Sequence, residues 1–150
     1  MKRDAVIYQE SSDGRICVAL DAAYAQEFLE YIYQDQRHED KFKQIVDLIL
    51  RRISNTDLYD KEDIDSRSKD VTAMKLFKGR DNDRIYCKKG SLPNATGQKI
   101  FVVVAARLHK GKKSQGNSNV EKQLIKTVAT YEYDYTTFTR IDDEDDLGGN

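Results

Sequence analysis

The sequence predicts an α+β domain, in which an N-terminal strand and a helical hairpin pack on a small antiparallel sheet with a C-terminal helix. Three observations lead there. Phe42, Ile45, Val46, Ile49, Leu50 and Ile53 recur at the spacing of one helix face. The second half changes to short β-branched runs between turn residues. The most apolar of them, residues 100–108, is predicted to be central in the sheet. A length of 150 residues holds one core rather than two.

Taken in order, residues 5–8 form a short apolar patch of ambiguous type, and Ser11-Ser12-Asp13-Gly14 signals a turn. Residues 15–20 (R-I-C-V-A-L) read as a strand. Asp21 then caps a helix, since its carboxylate can accept the unpaired N–H groups of a first turn. Tyr24, Ala25, Phe28, Leu29 and Ile32 follow at helical spacing. A polar break at 34–40 precedes the second helix, and so short a connection predicts an antiparallel hairpin. Residues 55–70 show no period and read as a loop. Asp60, Glu62, Asp63 and Asp65 within it lack the Gly and closing Glu of a calcium loop.

Residues 71–77 and 84–88 are predicted strands around a turn at 78–83. Residues 90–97 read as a loop, in which Asn94-Ala95-Thr96 matches a glycosylation acceptor by chance. Beyond the central strand, 110–117 is a basic loop. Ser118 with Glu121 forms an S-x-x-E box that opens a helix through Val120, Leu124, Ile125 and Val128. The period-two stretch 131–139 is a final strand or an extended arm. The expected organisation is one domain over 1–140, its core at 15–130, and a mobile acidic tail over 141–150.

Composition excludes several classes. With 39% hydrophobic and 34% charged residues the chain is polar without being disordered. The longest apolar run, 100–106, is strand-sized, whereas a bilayer needs ~20 residues, so no membrane partner is expected. No apolar stretch of a secretory signal follows Met1-Lys2-Arg3-Asp4. Cys17 and Cys87 give neither a disulfide framework nor a zinc pattern, which predicts a reducing, cytoplasmic setting. The net charge of −1 hides an asymmetry. Residues 1–73 carry 11 Lys/Arg against 16 Asp/Glu, residues 74–126 carry 13 against 3, and residues 127–150 carry 1 against 7. A polyanion-binding face is the expectation for the middle segment.

Within that segment, Gly111 to Ser118 keeps the two glycines of a Walker A loop, but Asn117 stands where its Lys belongs. His38 lies in the polar break and is predicted to be solvated. His109 follows the central strand among Arg107, Lys110, Lys112 and Lys113. A histidine in cationic surroundings holds its proton best when a phosphate is bound, which suits a general acid; an ordinary loop histidine is the alternative. Lys75, Arg84 and Arg107 lie on three predicted strands, where neighbours ~4.8 Å apart can converge on one face. Lys78, Arg80, Lys110, Lys112 and Lys113 extend that basic surface as RNA- or phosphate-binding candidates. Cleaving RNA requires deprotonating a 2′-OH, stabilising a dianionic phosphorane and protonating the departing 5′ oxygen. Arg suits the second task through its bidentate fork. A solvated basic face without a reaction is the alternative.

The order strand, helical hairpin, antiparallel strands, basic loop and helix resembles the RelE/ParE toxin superfamily. Met74-Lys75-Leu76 followed by Arg84-Ile85-Tyr86-Cys87 is similar to that family's K-L…R-[IL]-x-Y hairpin. Ala105-Ala106-Arg107-Leu108-His109-Lys110 resembles the R-x-H segment of its YoeB branch, and Lys110-Gly111-Lys112-Lys113 resembles the basic stretch of other branches. The likeness spans residues 15–130.

It implies a RelE-like fold and the toxin of a type II toxin–antitoxin system. Such a toxin is an mRNA interferase, an endoribonuclease that cuts mRNA in the cytoplasm, commonly in the ribosomal A site, by 2′-OH attack on the scissile phosphate. The implied partners are mRNA, the ribosome and a cognate antitoxin, with no cofactor and no metal. Carried over, Arg84 and Arg107 hold the scissile phosphate, His109 is the acid or base, and Lys75 is an electrostatic or proton-transfer partner. The family's frequent Tyr near the final helix has no clear match, because Ser118-Asn119-Val120 stands there; Tyr86 and Tyr131 are near only in the chain. The superfamily also holds gyrase inhibitors and catalytically silent members. The alternatives are therefore a non-catalytic binding module of this fold, or an interaction protein whose basic face meets an acidic partner.

Overall fold

A computed structural model describes residues 2–62, 64–77, 82–111 and 119–141. The elements run β1 (Ala5–Glu10), β2 (Ile16–Asp21), α1 (Ala25–Ile32), α2 (Gln36–Leu50), β3 (Tyr59–Lys61), β4 (Val71–Lys75), β5 (Arg84–Pro93), β6 (Lys99–His109), α3 (Asn119–Ala129) and β7 (Thr139–Arg140). The α+β class and the central position of β6 match expectation, since one sheet takes the order β3-β4-β5-β6-β2-β1-β7. The sheet is larger than expected and mixed. β2 pairs with β6 in parallel and β1 with β7 in parallel; the other pairs are antiparallel. A parallel pair needs a long crossover, and the chain between β2 and β6 supplies it.

The core therefore begins before residue 15 and ends after residue 130. Residues 5–10 form a hairpin with β2, closed at Gly14, whose φ of +71° lies where L side chains are strained. Residues 131–139 make no continuous strand. Tyr133 bridges to Arg3, a 3-10 turn covers Tyr135–Thr137, and only then does β7 join β1. The 55–70 stretch is not all loop either, since β3 pairs within it to β4. β5 continues through Pro93, so the 90–97 loop shrinks. Asn94 is the turn former there, its Oδ1 accepting from Thr96 N and Gln98 N at 3.0 and 2.9 Å.

Strand alternation divides the core between two faces. Ile16, Val18, Leu20, Val103 and Ala105 pack under α1 and α2, while Cys17, Ala19, Val102, Val104 and Ala106 pack with Ile125, Val128, Tyr131 and Tyr133. Both faces of β2 and β6 are covered, which is why their sequences are apolar without alternation. The two thiols are on opposite faces and free, and burial pushes each up to about 12.

The helix connection is tighter than the predicted polar break. Asp35 caps α2 through His38 N at 2.8 Å and holds His38 Nδ1 at 2.7 Å. His38 is not solvated: it is 9% exposed and stacks edge-on against Tyr31 and Phe77. Helical register explains this, because residue 38 shares the inward face of Phe42, Ile45 and Ile49. Asp21 caps the 3-10 turn before α1 through Ala23 N, and also binds Arg3 and Tyr133. Ile141 packs against the helical face of the core; the remainder of the acidic tail lies outside the described residues. Among the described residues, no helix is long and apolar enough to cross a membrane.

Candidate functional site

Antiparallel register decides which candidate residues meet. Lys75 stands opposite Arg84, and Arg84 stands opposite His109. The next row holds Ala73, Tyr86 and Arg107. Directly opposed residues project from the same face, so Lys75, Arg84, Arg107 and His109 share the α3 face at one end of three adjacent strands. Lys75 and His109 are two strand spacings apart, about 10 Å at the backbone. A register shift between Tyr86 and Cys87 leaves Ala106 unpaired immediately before Arg107, and such a bulge re-aims the side chains at a strand end.

Lys75, Arg84 and Arg107 each have a defined partner. Lys75 Nζ donates to Thr56 O at 3.0 Å. Arg84 Nη1 donates to Asn82 Oδ1 at 2.6 Å and to Asp83 O at 3.3 Å, while its Nε is buried and unpaired. Arg107 Nη1 reaches the Tyr131 hydroxyl at 3.5 Å, and its guanidinium lies 4.9 Å from the centre of the Tyr24 ring. Burial opposes the Arg107 charge; the hydrogen bond to Tyr131 and the fields of Tyr24 and Glu27 outweigh it, so its pKa lies above the ordinary arginine value. Lys110 is exposed, its Nζ 5.8 Å from the Tyr31 ring centre. Lys78, Arg80, Lys112 and Lys113 lie outside the described residues.

Two side chains beneath this row had no functional reading in the sequence. Asp83 is 7% exposed and accepts from the Tyr31 hydroxyl at 2.6 Å and from Gly111 N at 2.8 Å. It ties α1 to the end of β6 directly beside Arg84. Glu121, read only as a helix cap, is 2% exposed and accepts from the Tyr86 hydroxyl at 3.3 Å. Ser118, its expected partner in the box, lies outside the described residues. Tyr86 is fully buried, and burial pushes its phenol well above the ordinary value. It faces Glu121 rather than solvent. The signal for Asp83 was faint, an acidic residue just before a strand; its partner Tyr31 is 52 residues away.

The neighbouring corner is an arginine–tyrosine stack. Arg3 forks onto Asp21 at 2.7 and 3.1 Å and lies 3.9 Å over the Tyr131 ring, which in turn contacts Arg107. Asp21 holds Arg3 above its ordinary pKa. Among the described residues, no group of three or more His, Cys, Asp or Glu side chains converges as a metal site needs.

The fold and this end of the sheet define the chain as an α+β protein with a mixed sheet, seven-stranded among the described residues, and a cationic row on three of its strands. Comparison with protein-family models, with curated proteins and with solved structures found no match in any of the three.

Proposed function

We propose that this protein is an RNA-binding endoribonuclease of the RelE-like toxin kind, with Lys75, Arg84, Arg107 and His109 as its reactive surface. One observation carries the reading: the register that aligns Lys75, Arg84 and His109 in a row, with Arg107 in the next row on the same face. In the proposed reaction the 2′ oxygen bonds to phosphorus, and the bond to the 5′ oxygen breaks. The products are a 2′,3′-cyclic phosphate and a 5′-hydroxyl. Arg84 and Arg107 stabilise the charge that grows on the phosphorane oxygens. The 2′-hydroxyl gives up its proton to solvent water as it attacks, His109 delivers the proton that the 5′ oxygen needs, and Lys75 adds positive charge at the attacking side. The cytoplasm, mRNA, the ribosome and a cognate antitoxin belong to this proposal as its setting and partners.

A second reading keeps the phosphate grip and drops the chemistry. It is favoured by the burial of Tyr86, which removes one of the two phenols that lie near the row in the chain. The protein is then a binding module acting on gyrase or on an acidic partner. Induced expression with mapping of mRNA 5′ ends separates the two. New ends with growth arrest support the nuclease. Arg107→Ala should lower cleavage ~10²- to 10³-fold, as loss of one oxyanion donor does, and His109→Ala ~10²- to 10⁴-fold. Intact transcripts and continued growth exclude the nuclease, and DNA-damage signals with translation initially intact favour gyrase.

A further inference from the structure

A second site lies on the same sheet face, nearer the far end of β5 and β6. α3 ends at Ala129, and the long hairpin of β5 and β6 runs on beyond it. A cavity of about 330 Å³ is left there. Gly90, Leu92, Val102 and Val104 form its floor, Tyr131 and Tyr133 its walls, and Lys2 and Lys88 stand at its rim.

Gly90 is the telling residue. A glycine inside a strand weakens the sheet, and it normally marks a bulge, a left-handed backbone or a close approach. None applies here. Pairing is regular from Lys89 through Ser91, and Gly90 is not among the glycines with positive φ. A Cβ built on it meets nothing within 4 Å. Gly90 stands opposite Val102, which belongs to the α3 face of the core, so the missing side chain is what opens the cavity.

The lining specifies the occupant. Tyr131 and Tyr133 line the cavity with their hydroxyls bonded to Arg107 at 3.5 Å and to Asp21 at 2.6 Å, and Arg3 covers one face of the Tyr131 ring at 3.9 Å. Lys88 Nζ donates to Ala129 O at 2.5 Å, which leaves two of its N–H donors. Two acidic residues, Asp70 and Glu132, also line the mouth, and both are exposed to solvent. Flat apolar floor, aromatic walls and two ammonium groups at the rim match a planar heteroaromatic ring carrying an anionic group. The volume is at the small end of ligand cavities, ~300–1,000 Å³.

We infer that the cavity under Gly90 binds one nucleoside phosphate, its base against Tyr131, Tyr133 and the valine floor and its phosphate toward Lys2 and Lys88. Tyr131 joins the cavity to Arg107, so the nucleotide comes either free from solution or as a unit of an RNA strand whose backbone crosses the cationic row. The RNA source, unlike the cavity itself, rests on the proposed function.

The test titrates 5′-AMP, 5′-UMP and an uncleavable 2′-deoxy-substituted RNA hexamer into ¹⁵N-labelled protein. It follows the amides of Gly90, Leu92 and Val102, in the unaltered chain and in Gly90→Val. A mononucleotide that shifts these amides and binds at least tenfold more weakly to Gly90→Val supports the site with a free ligand. A hexamer that does so where mononucleotides do not supports the RNA source. Silence of these amides with every ligand overturns the inference, whether or not Gly90→Val folds. Binding undiminished in a Gly90→Val protein with unchanged urea unfolding overturns it as well. No cleavage is read, so loss of the nuclease proposal and loss of this one are separate results.

Discussion

Replacing Asp83 tests the physical argument that holds the cationic row together. Its carboxylate accepts from the hydroxyl of Tyr31, a buried residue, and from Gly111 N, and its backbone carbonyl accepts from Leu76 N and Arg84 Nη1. Asp83→Ala removes both side-chain acceptors. Losing the acceptor of the buried Tyr31 hydroxyl costs ~1–3 kcal/mol and losing that of the half-buried Gly111 N–H less, so a loss of ~1–4 kcal/mol is expected against the ~5–15 kcal/mol typical of a domain. Asp83→Asn should cost only ~1 kcal/mol, because its oxygen can still accept from Gly111 while the Tyr31 hydroxyl turns to accept from the amide. Tyr31→Phe breaks the same contact from the other side, and a double-mutant cycle with Asp83→Ala should show a coupling of ~1–2 kcal/mol. Urea unfolding at pH 7 with fitted m-values measures all four proteins. Additivity within ~0.3 kcal/mol, or Asp83→Ala as stable as the unaltered chain, would refute the clamp.

Three further outcomes are expected. Asp21→Ala should cost ~2–4 kcal/mol, since Asp21 is buried, accepts from Arg3, Tyr133 and Ala23, and its loss leaves the buried Tyr133 hydroxyl and the partly exposed Arg3 without their acceptor; chemical denaturation measures it. Stability should be full below pH 9 and fall between about 9 and about 12, where burial keeps protons on Cys17 and Cys87 that the unfolded chain releases. The folded state then binds more protons than the unfolded one, so the slope with pH is negative, and a flat urea midpoint from pH 8 to 11 contradicts it. If RNA phosphates sit on the row, affinity should fall with salt, and Arg107→Ala should make the logarithmic slope shallower by ~0.7, measured by fluorescence anisotropy.

Much of the fold was legible because local rules carried it. The helical spacing of Phe42 to Leu50, the apolar run of β6 and the β-branched stretches of β4 and β5 each report a burial pattern that neighbours in the chain share. Errors fell where tertiary partners overrode local character. His38 reads as polar and is buried, because α2 turns it toward Tyr31 and Phe77. Residues 5–8 read as an apolar patch of ambiguous type and 131–139 as a final strand or an extended arm, whereas the strands are 5–10 and 139–140. They become strands because β2 and β1 offer them open edges. The candidate site was half legible. Lys75, Arg84, Arg107 and His109 stand out by residue type, whereas Asp83 and Glu121 bond partners 52, 28 and 35 residues away.

By itself the sequence determined that the chain is α+β with a basic middle and a buried β6, since composition and periodicity are properties of the chain. Only the tertiary structure decided that the sheet is mixed, that Lys75, Arg84 and His109 fall in one row, and that Gly90 leaves an open cavity. Strand register and order are set by contacts between segments tens of residues apart, and a shift of one residue would have sent every cation in the row to the other face.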